Sequence, residues 1–366
     1  MPSFGISIAG SVNTGDPDHN PFVQLRTPAA QELLSRVARA PQPVHAVEPD
    51  LLARLVTLEA LRVEDGLCYV NFPCLLADDV ALLAAVGEEF AARLAALVAS
   101  ELADAGSLAA QCSYPAPGAD KIMLILVGCV ALDWGGLRLL ADGGYCTAAP
   151  LKPGNNHYVL FGDETASVVT GAGVYCSSNT SGFGRYAFTS FGGGPRHCFP
   201  DLFWRLTGGP GARLKPSYAA PLYASLGERD VGEWAELLAQ VLAGVERDEA
   251  AAALLESLAY TRNGALNVPL FVAADRHVAE EVKARVSRAV GRWVEAEYEP
   301  LRAQLAGLSP NRWGVPYGET FNRVWHAVFG RANGILAEQG IFYDPCGAGG
   351  EFEGCLPTVF EQAAQL

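Results

Sequence analysis

The sequence predicts an α+β protein with an N-terminal helical module, a central antiparallel or mixed β-sheet domain with helices on one side, and a C-terminal helical part. Of its 366 residues, 50% are hydrophobic and 18% are charged, which is apolar enough to bury large cores. Short runs in which aromatic residues alternate with small or polar ones concentrate between residues 156 and 193, as in strands. On either side of this region, apolar residues recur at steps of three and four, as in helices.

The N-terminal part is predicted to contain a loop, two helices and a hairpin. Residues 1–26 include the turn cluster "NTGDPDHNP" and are expected to be loop. Thr27 can cap a helix, and Pro28 suits the first helical position. A second helix is predicted over residues 48–61, because four leucines fall on one face there. The Asp-Gly step at residues 65–66 is a strong hairpin signal.

This order of helix, break, helix and hairpin over residues 27–73 resembles a winged helix-turn-helix domain. The resemblance implies a module that reads DNA through its second helix and its hairpin, the wing. In this chain the second helix offers only Arg54 and Arg62, and the hairpin carries Glu64 and Asp65. Base edges and phosphates are read by cationic and amide side chains. The module is therefore expected either to bind DNA or to serve packing and homodimerisation, and the sequence leaves both open.

A stretch containing Pro and Gly, "SYPAPGAD" at residues 113–120, separates this module from the next part. Before it, residues 78–105 form a long helix rich in Ala and Leu. The sequence is predicted to divide into four segments. They are an N-terminal loop segment (1–26), the winged-helix-like module plus the long helix (27–112), a central α/β domain (113–225), and a helical domain with a Gly-rich tail (226–366).

The central domain is expected to alternate strands and helices. The run "KIMLILVGCVAL" at residues 121–132 is predicted to be a buried strand, because it is short, apolar and bounded by turn residues. Asp133 can cap a following helix, and Pro200 opens another over residues 200–206. Three more strands are predicted, the last two joined by the five-residue connection "TSGFG". These strands cover residues 156–164, 172–179 and 185–193.

The C-terminal part has a helical pattern followed by a Gly-rich tail. Its longest predicted helix carries a stripe of valines that is typical of a helix bundle. No repeat of fixed period is found in the sequence. The predicted helices cover residues 234–258, 273–305 and 319–339.

Charge and composition argue against several classes of partner. The net charge of −14 argues against a large nucleic-acid surface and against adhesion to anionic membranes, so DNA binding is disfavoured. The longest apolar run, residues 122–132, is shorter than the roughly 20 residues that span a bilayer. The first residues lack the basic and apolar stretches of a signal peptide. We therefore expect a cytoplasmic protein that does not contact a membrane.

The nine cysteines are spread from Cys68 to Cys355 and are expected to be small buried hydrophobic residues. No C-x2-C or H-x3-H spacing occurs, so no metal site is predicted. No nucleotide-binding motif indicates a cofactor.

The stretch "FGGGPRHCFP" at residues 191–200 is the first candidate site. Its glycines let the backbone approach a ligand, and Arg196 supplies a cation for a carboxylate or phosphate. His197 adds an imidazole that can transfer a proton. The same residues also fit a plain strand-to-helix turn, and both interpretations stay open.

The helix at residues 319–339 is the second candidate. Glu319, Asn322, His326 and Asn333 share one of its faces, beside an aromatic face. They can line a ligand pocket or form a solvated or satisfied polar stripe. Two tyrosines on the predicted strands add an aromatic surface for a small molecule, with a half-exposed sheet face as the alternative. These tyrosines are Tyr175 and Tyr186.

Together these features predict a cytoplasmic small-molecule-binding or sensing protein whose winged-helix-like module reports or dimerises, as in a transcriptional regulator. The alternative is an enzyme with a pocket between the central sheet and the C-terminal helices. There His197 and His326 act as acid and base, and Arg196 binds an anion. A structural protein without a pocket is the third option. The expected ligand-binding residues are Arg196, His197, Asn322, His326, Tyr175 and Tyr186.

Overall fold

A computed structural model describes residues 4–13, 15–164, 175–193, 231–345, 347, 352 and 354–362. The α+β class is confirmed, with 53% helix and 18% strand. The strands are β1 (Gly5–Ser11), β2 (Gln42–Pro43), β3 (Leu61–Glu64), β4 (Leu67–Val70), β5 (Cys74–Leu75), β6 (Leu151–Lys152), β7 (Asn156–Asp163), β8 (Ser178–Phe183), β9 (Tyr186–Gly192), β10 (Thr261–Arg262), β11 (Ala265–Leu266), β12 (Leu270–Phe271) and β13 (Cys355–Glu361). The helices are α1 (Pro21–Gln24), α2 (Pro28–Arg39), α3 (Pro49–Thr57), α4 (Ala77–Glu101), α5 (Ala105–Ala109), α6 (Ala119–Asp142), α7 (Val231–Leu242), α8 (Glu249–Ser257), α9 (Arg276–Gln304), α10 (Ser309–Arg312) and α11 (Tyr317–Glu338).

Local signals placed the helices and the hairpin of the N-terminal part correctly. The Thr27 side chain accepts a hydrogen bond from the Ala30 amide and caps α2, while Glu48 caps α3 in the same way. The β3–β4 hairpin turns through Asp65 and Gly66, which both have positive φ. The predicted helices of the C-terminal part are likewise confirmed as α7, α8, α9 and α11.

Several predictions from the sequence are wrong. Residues 121–132 are not a strand but part of α6, whose segment Leu124–Gly135 is π-helical. A short run that is apolar on all sides does not distinguish a buried helix from a buried strand. The segment 1–26 is not all loop, because it contains β1 and α1. Residues 180–183 of the "TSGFG" connection belong to β8, and Gly184 alone of this run lies in the turn. Asp133 does not cap a helix but lies inside α6. The Gly-rich tail also contains β13. The predicted helix at 200–206 lies outside the described residues.

The chain forms two compact units, each assembled from three separate segments. The first unit comprises Met1–Phe90, Gly136–Val169 and Val294–Val328. The second unit comprises Ala91–Gly135, Thr170–Trp293 and Phe329–Leu366. The four consecutive segments expected from the sequence stay a prediction.

The first unit has a small sheet between two layers of helices. Its central strand β7 pairs antiparallel with β1 and β6 and parallel with β5. One face of the sheet presents Tyr158 and Leu160 to a core that α2, α3 and the β2-β4-β3 sheet share. Side chains alternate along a strand, so Phe161 and Asp163 lie on the opposite face, where they meet the first turns of α11.

The second unit contains a similar sheet, with strand order β12-β13-β9-β8. Its central strand β13 pairs antiparallel with β9 and parallel with β12. The β10–β11 hairpin precedes β12, as the β3–β4 hairpin precedes β5. The two units therefore repeat one arrangement of a central strand with one antiparallel and one parallel neighbour.

Backbone details recur at matching places of the two units, although the sequence shows no repeat of fixed period. Asn71 donates from its amide to the Ala60 carbonyl and from its side chain to the Glu59 carbonyl, at 3.0 Å in both cases. Asn267 makes the same two bonds to Tyr260 and Ala259, at 2.9 and 2.8 Å. Both Glu59 and Ala259 have positive φ. The antiparallel neighbours of the two central strands match as well: Gly10 on β1 and Gly192 on β9 both have positive φ.

The start of each long helix is repeated as well. The sequence "PCLLADD" leads into α4, and "PLFVAAD" leads into α9. The carboxylate of Asp79 accepts a bond from the Leu76 amide at 2.8 Å. Asp275 accepts the equivalent bond from the Val272 amide at 2.9 Å. We conclude that the described residues within 4–164 and those within 186–361 are two copies of one structural repeat.

The repeats exchange equivalent segments. The first unit takes Val294–Val328 from the second repeat, and the second unit takes Ala91–Gly135 from the first. Within the first unit, the amide of Ser309 donates to Asp79 at 3.0 Å. Within the second, the amide of Ser113 donates to Asp275 at 2.7 Å. Each unit is thus completed by a helical segment from the other repeat, as in a domain swap.

Helix α6 is the one described helix that is long and apolar enough to cross a membrane. However, 78% of its most apolar stretch is buried within the protein, as in a core helix. The cytoplasmic location stays a prediction.

A cut between the repeats should leave the protein assembled. We expect that a protease site introduced between Glu164 and Tyr175 yields two fragments that elute together at the mass of the intact chain. The reason is that each unit needs a segment from both fragments. Size-exclusion chromatography with light scattering measures this, with the uncut protein as the control. Fragments that separate in native buffer would contradict the exchange.

Candidate functional site

The first turns of α11 carry a buried polar arc. Thr320, Asn322, Arg323 and His326 are between 0% and 6% exposed. At a helical period of 3.6 residues they point to one side, whereas Phe321, Val324, Trp325 and Val328 point to the other. Polar side chains buried to this extent need partners or a function.

The centre of this arc is an ion pair between Arg323 and Asp163. The Arg323 Nε donates to both carboxylate oxygens of Asp163 at 3.1 Å, and Nη2 donates to Oδ2 at 2.9 Å. Asp163 stands at the end of β7 and is 4% exposed, while Arg323 is fully buried. The planar guanidinium matches the carboxylate, which makes this a strong charge-assisted contact.

Several polar atoms of the arc lack a hydrogen-bond partner among the described residues. They are Nη1 of Arg323, Oδ1 of Asn322 and Oγ1 of Thr320. Leaving a buried donor or acceptor unpaired costs about 1–3 kcal/mol, and more for a charged group. These atoms are therefore the part of the arc that could bind the polar groups of a ligand.

His326 lies against the same sheet face. Its ring centroid is 5.1 Å from that of Phe161. Its Nδ1 donates to the Asn322 carbonyl at 2.7 Å, which assigns the proton to that nitrogen. Burial lowers the pKa of His326 to about 4, opposed by the bond to Asn322 and aided by the charge of Arg323. The imidazole is therefore neutral at physiological pH.

Cys74, on β5 beside β7, lies on the opposite face of the sheet, in the core that contains Tyr158 and Leu160. Burial and the charge of Asp163 hold the pKa of its thiol well above the usual value, so the sulfur stays protonated. The seven described cysteines are all buried and none forms a disulfide. This agrees with their predicted role as small hydrophobic residues.

A second group of charges borders the arc within the first unit. Lys152 Nζ donates to Glu59 Oε2 at 2.5 Å and lies 5.6 Å from the ring centroid of Tyr158. Burial raises the pKa of Glu319, with Lys152 lowering it and Glu59 raising it further. The hydroxyl of Tyr158 is buried without a described partner.

The second unit has no counterpart of the ion pair at the matching positions. Leu75 pairs with Asp163 in the first unit, and its equivalent Phe271 pairs with Phe360. Phe360 thus stands in the place of Asp163, where it stacks on Phe271 with ring centroids 5.1 Å apart. The matching helix α6 is apolar and buried from residue 122 to residue 132. The polar arc is a property of one copy of the repeat.

The expected ligand-binding residues fall in different places. Asn322 and His326 lie together on α11 in the first unit, bonded through the Asn322 carbonyl. Both are buried, so the row they form is not a solvated stripe. Arg196 and His197 lie outside the described residues, so the enzyme alternative that uses them stays a prediction.

The two tyrosines belong to the second unit. Tyr175 donates from its hydroxyl to Asp344 Oδ1 and accepts at its carbonyl from Asn333 Nδ2 at 2.8 Å. Tyr186 is 3% exposed on β9. Tyr175 therefore acts as a structural anchor, and neither tyrosine forms a free aromatic surface.

Sequence reasoning missed Arg323 and Asp163. Arg323 lies four residues after Glu319, so it has the same helical spacing as the predicted polar row. Asp163 ends a strand otherwise made of buried residues from Tyr158 onward. In the sequence, a carboxylate at the end of an otherwise apolar strand was the signal that could have identified Asp163.

Within the described ranges, no group of three or more His, Cys, Asp or Glu residues is arranged to hold a metal ion. No protein-family model, curated protein or solved structure matches the chain.

The buried His326 should make folding stability depend on pH. In the unfolded chain the imidazole takes up a proton near pH 6.5, whereas in the folded protein it stays neutral down to about 4. The stabilisation is complete above about pH 6.5 and is lost as pH falls towards 4, by about 3 kcal/mol. Urea unfolding at several pH values should show this loss in the wild type and not in His326→Gln. The control is His157→Gln, at an exposed position of β7. A parallel loss in wild type and His326→Gln would refute the assignment.

Proposed function

We propose that this protein binds a small polar molecule in its first unit, between α11 and β7, and that binding is its sensing event. The observation that supports this proposal most directly is the presence of the Arg323–Asp163 pair in one copy of the repeat, where the other copy carries Phe360 and the apolar residues 122–132 of α6. The repeat folds with either set, so the fold itself does not require the charges.

Energetics favour a functional reason for the pair. Removing two charges from water costs several kcal/mol per ion, and replacement of a buried pair by apolar residues is often neutral or stabilising. In the second unit, the apolar alternative is present. A pair retained at this cost, next to unpaired donors and acceptors, is typical of a binding site.

The proposed site is closed in this structure. Arg323 and Thr320 have no exposed surface, and Asn322 is 4% exposed. A ligand would reach the unpaired atoms only when α11 and β7 separate. Ligand binding would then select a conformation that is otherwise rare, which is how a sensor converts occupancy into structural change.

We infer that the winged-helix-like module packs rather than reads DNA. Arg62 is engaged within the first unit: it donates to the carbonyls of Val70 and Trp313 and lies over the Tyr69 ring. The exposed side of α3 offers Arg54 as a cation beside acidic residues. Binding to fragmented genomic DNA that weakens as salt is raised would contradict this inference.

A library of small polar metabolites tests the proposed site. We expect at least one compound to raise the melting temperature of the wild type, because a ligand that binds only the folded state stabilises it. Asn322→Leu removes an unpaired buried acceptor, so the variant should fold at least as well as the wild type while losing this response.

The control is Gln111→Leu, which replaces an exposed amide of the second unit and should keep the response. Thermal shift assays compare the response of the wild type, Asn322→Leu and Gln111→Leu. If no compound stabilises the wild type, or if Asn322→Leu responds as the wild type does, the proposed site is wrong.

A further inference from the structure

We propose that the molecule bound at this site is a zwitterion of the α-amino acid type, with an apolar side chain. The inference rests on the proposed function and assigns a ligand class to the same site. Three features of the polar arc carry it: its charge balance, the kinds of atom that lack partners, and its aromatic wall.

The charges at the site already balance. One carboxylate, Asp163, faces one guanidinium, Arg323, and both are buried. The neighbouring His326 is neutral, because burial lowers its pKa to about 4. A ligand with a net charge would leave an uncompensated charge in a buried place, which is strongly unfavourable. A ligand without net charge does not carry this penalty.

The buried atoms without partners match a ligand that has both an anionic and a cationic group. Nη1 of Arg323 is a charged donor, and its strongest acceptor is a carboxylate. Oδ1 of Asn322, the residue before Arg323 on α11, is a buried acceptor. Asp163 receives three bonds from Arg323, and an ionised carboxylate has about four acceptor positions. An ammonium group can therefore be shared between Asp163 and Asn322 while a carboxylate binds Arg323.

The wall beside these groups is aromatic. The rings of Phe161 and His326 lie 5.1 Å apart and tilted by 46°, and the Arg323 guanidinium is 6.0 Å from the Phe161 centroid. Such a wall suits an aliphatic or aromatic side chain better than a polar one. L-Leucine and L-phenylalanine are therefore suitable probes.

The experiment compares each probe with three derivatives on the full-length chain. The amide lacks the carboxylate, the N-acetyl form lacks the ammonium, and the N-acetyl amide is neutral without charges. Isothermal titration calorimetry at neutral pH measures their affinities. We expect the zwitterion to bind and each derivative to bind at least about 10-fold more weakly, since a hydrogen bond to a charged group contributes about 1.5–3 kcal/mol.

A variant locates the site. Asn322→Leu should weaken binding of the zwitterion at least about 10-fold, and Gln111→Leu should leave it unchanged. Equal binding of the N-acetyl amide, or unchanged binding by Asn322→Leu, overturns the inference. If neither amino acid binds but another metabolite stabilises the wild type through Asn322, the ligand class is wrong and the proposed function stands. If no metabolite binds at all, both are wrong.

Discussion

Each compact unit of this protein is complete only when it receives a helical segment from the other repeat, and the rest of the structure depends on that exchange. The first unit holds Asp163 on its own strand β7, but Arg323 arrives on the exchanged segment Val294–Val328. The same segment supplies Ser309, which bonds to Asp79 at the start of α4. The ion pair therefore joins the donated helix to the sheet that receives it. A change that separates α11 from β7 would alter the charged site and the packing of the exchanged segment together.

The two repeats share the same hairpins and backbone hydrogen bonds but differ in their buried side chains. The hairpins, the Asn71 and Asn267 bonds and the helix-starting aspartates are matched. At the face between the central strand and the donated helix they differ, with a charged pair in one unit and Phe360 in the other. Backbone hydrogen bonds must be satisfied wherever the fold is used, so they are retained in both copies. A buried ion pair is not needed for that purpose, and its presence in a single copy separates what the fold requires from what function requires.

The sequence predicted the parts of this structure that local chemistry determines. Caps, turn residues and helical periodicity located α2, α3, the first hairpin and α11, and the polar row on α11 included Asn322 and His326. The features that the sequence did not predict depend mainly on contacts between residues far apart along the chain. Asp163 and Arg323 are 160 positions apart, so no spacing rule connects them. Residues 122–132 of helix α6 are apolar on all sides and show no period. The repeat escaped detection because its spacing varies: Asn71 lies eleven positions after Ala60, but Asn267 lies seven after Tyr260.

The central claim is that the fold does not need the Arg323–Asp163 pair, and a double-mutant cycle tests it most directly. The free energy of unfolding is measured by urea for the wild type, Asp163→Leu, Arg323→Met and the double variant. Each single variant strands a buried charge and should lose about 3–5 kcal/mol, whereas the double variant should come within about 1 kcal/mol of the wild type or exceed it. A double variant as unstable as the single variants would show that the pair is structural, and would contradict the account.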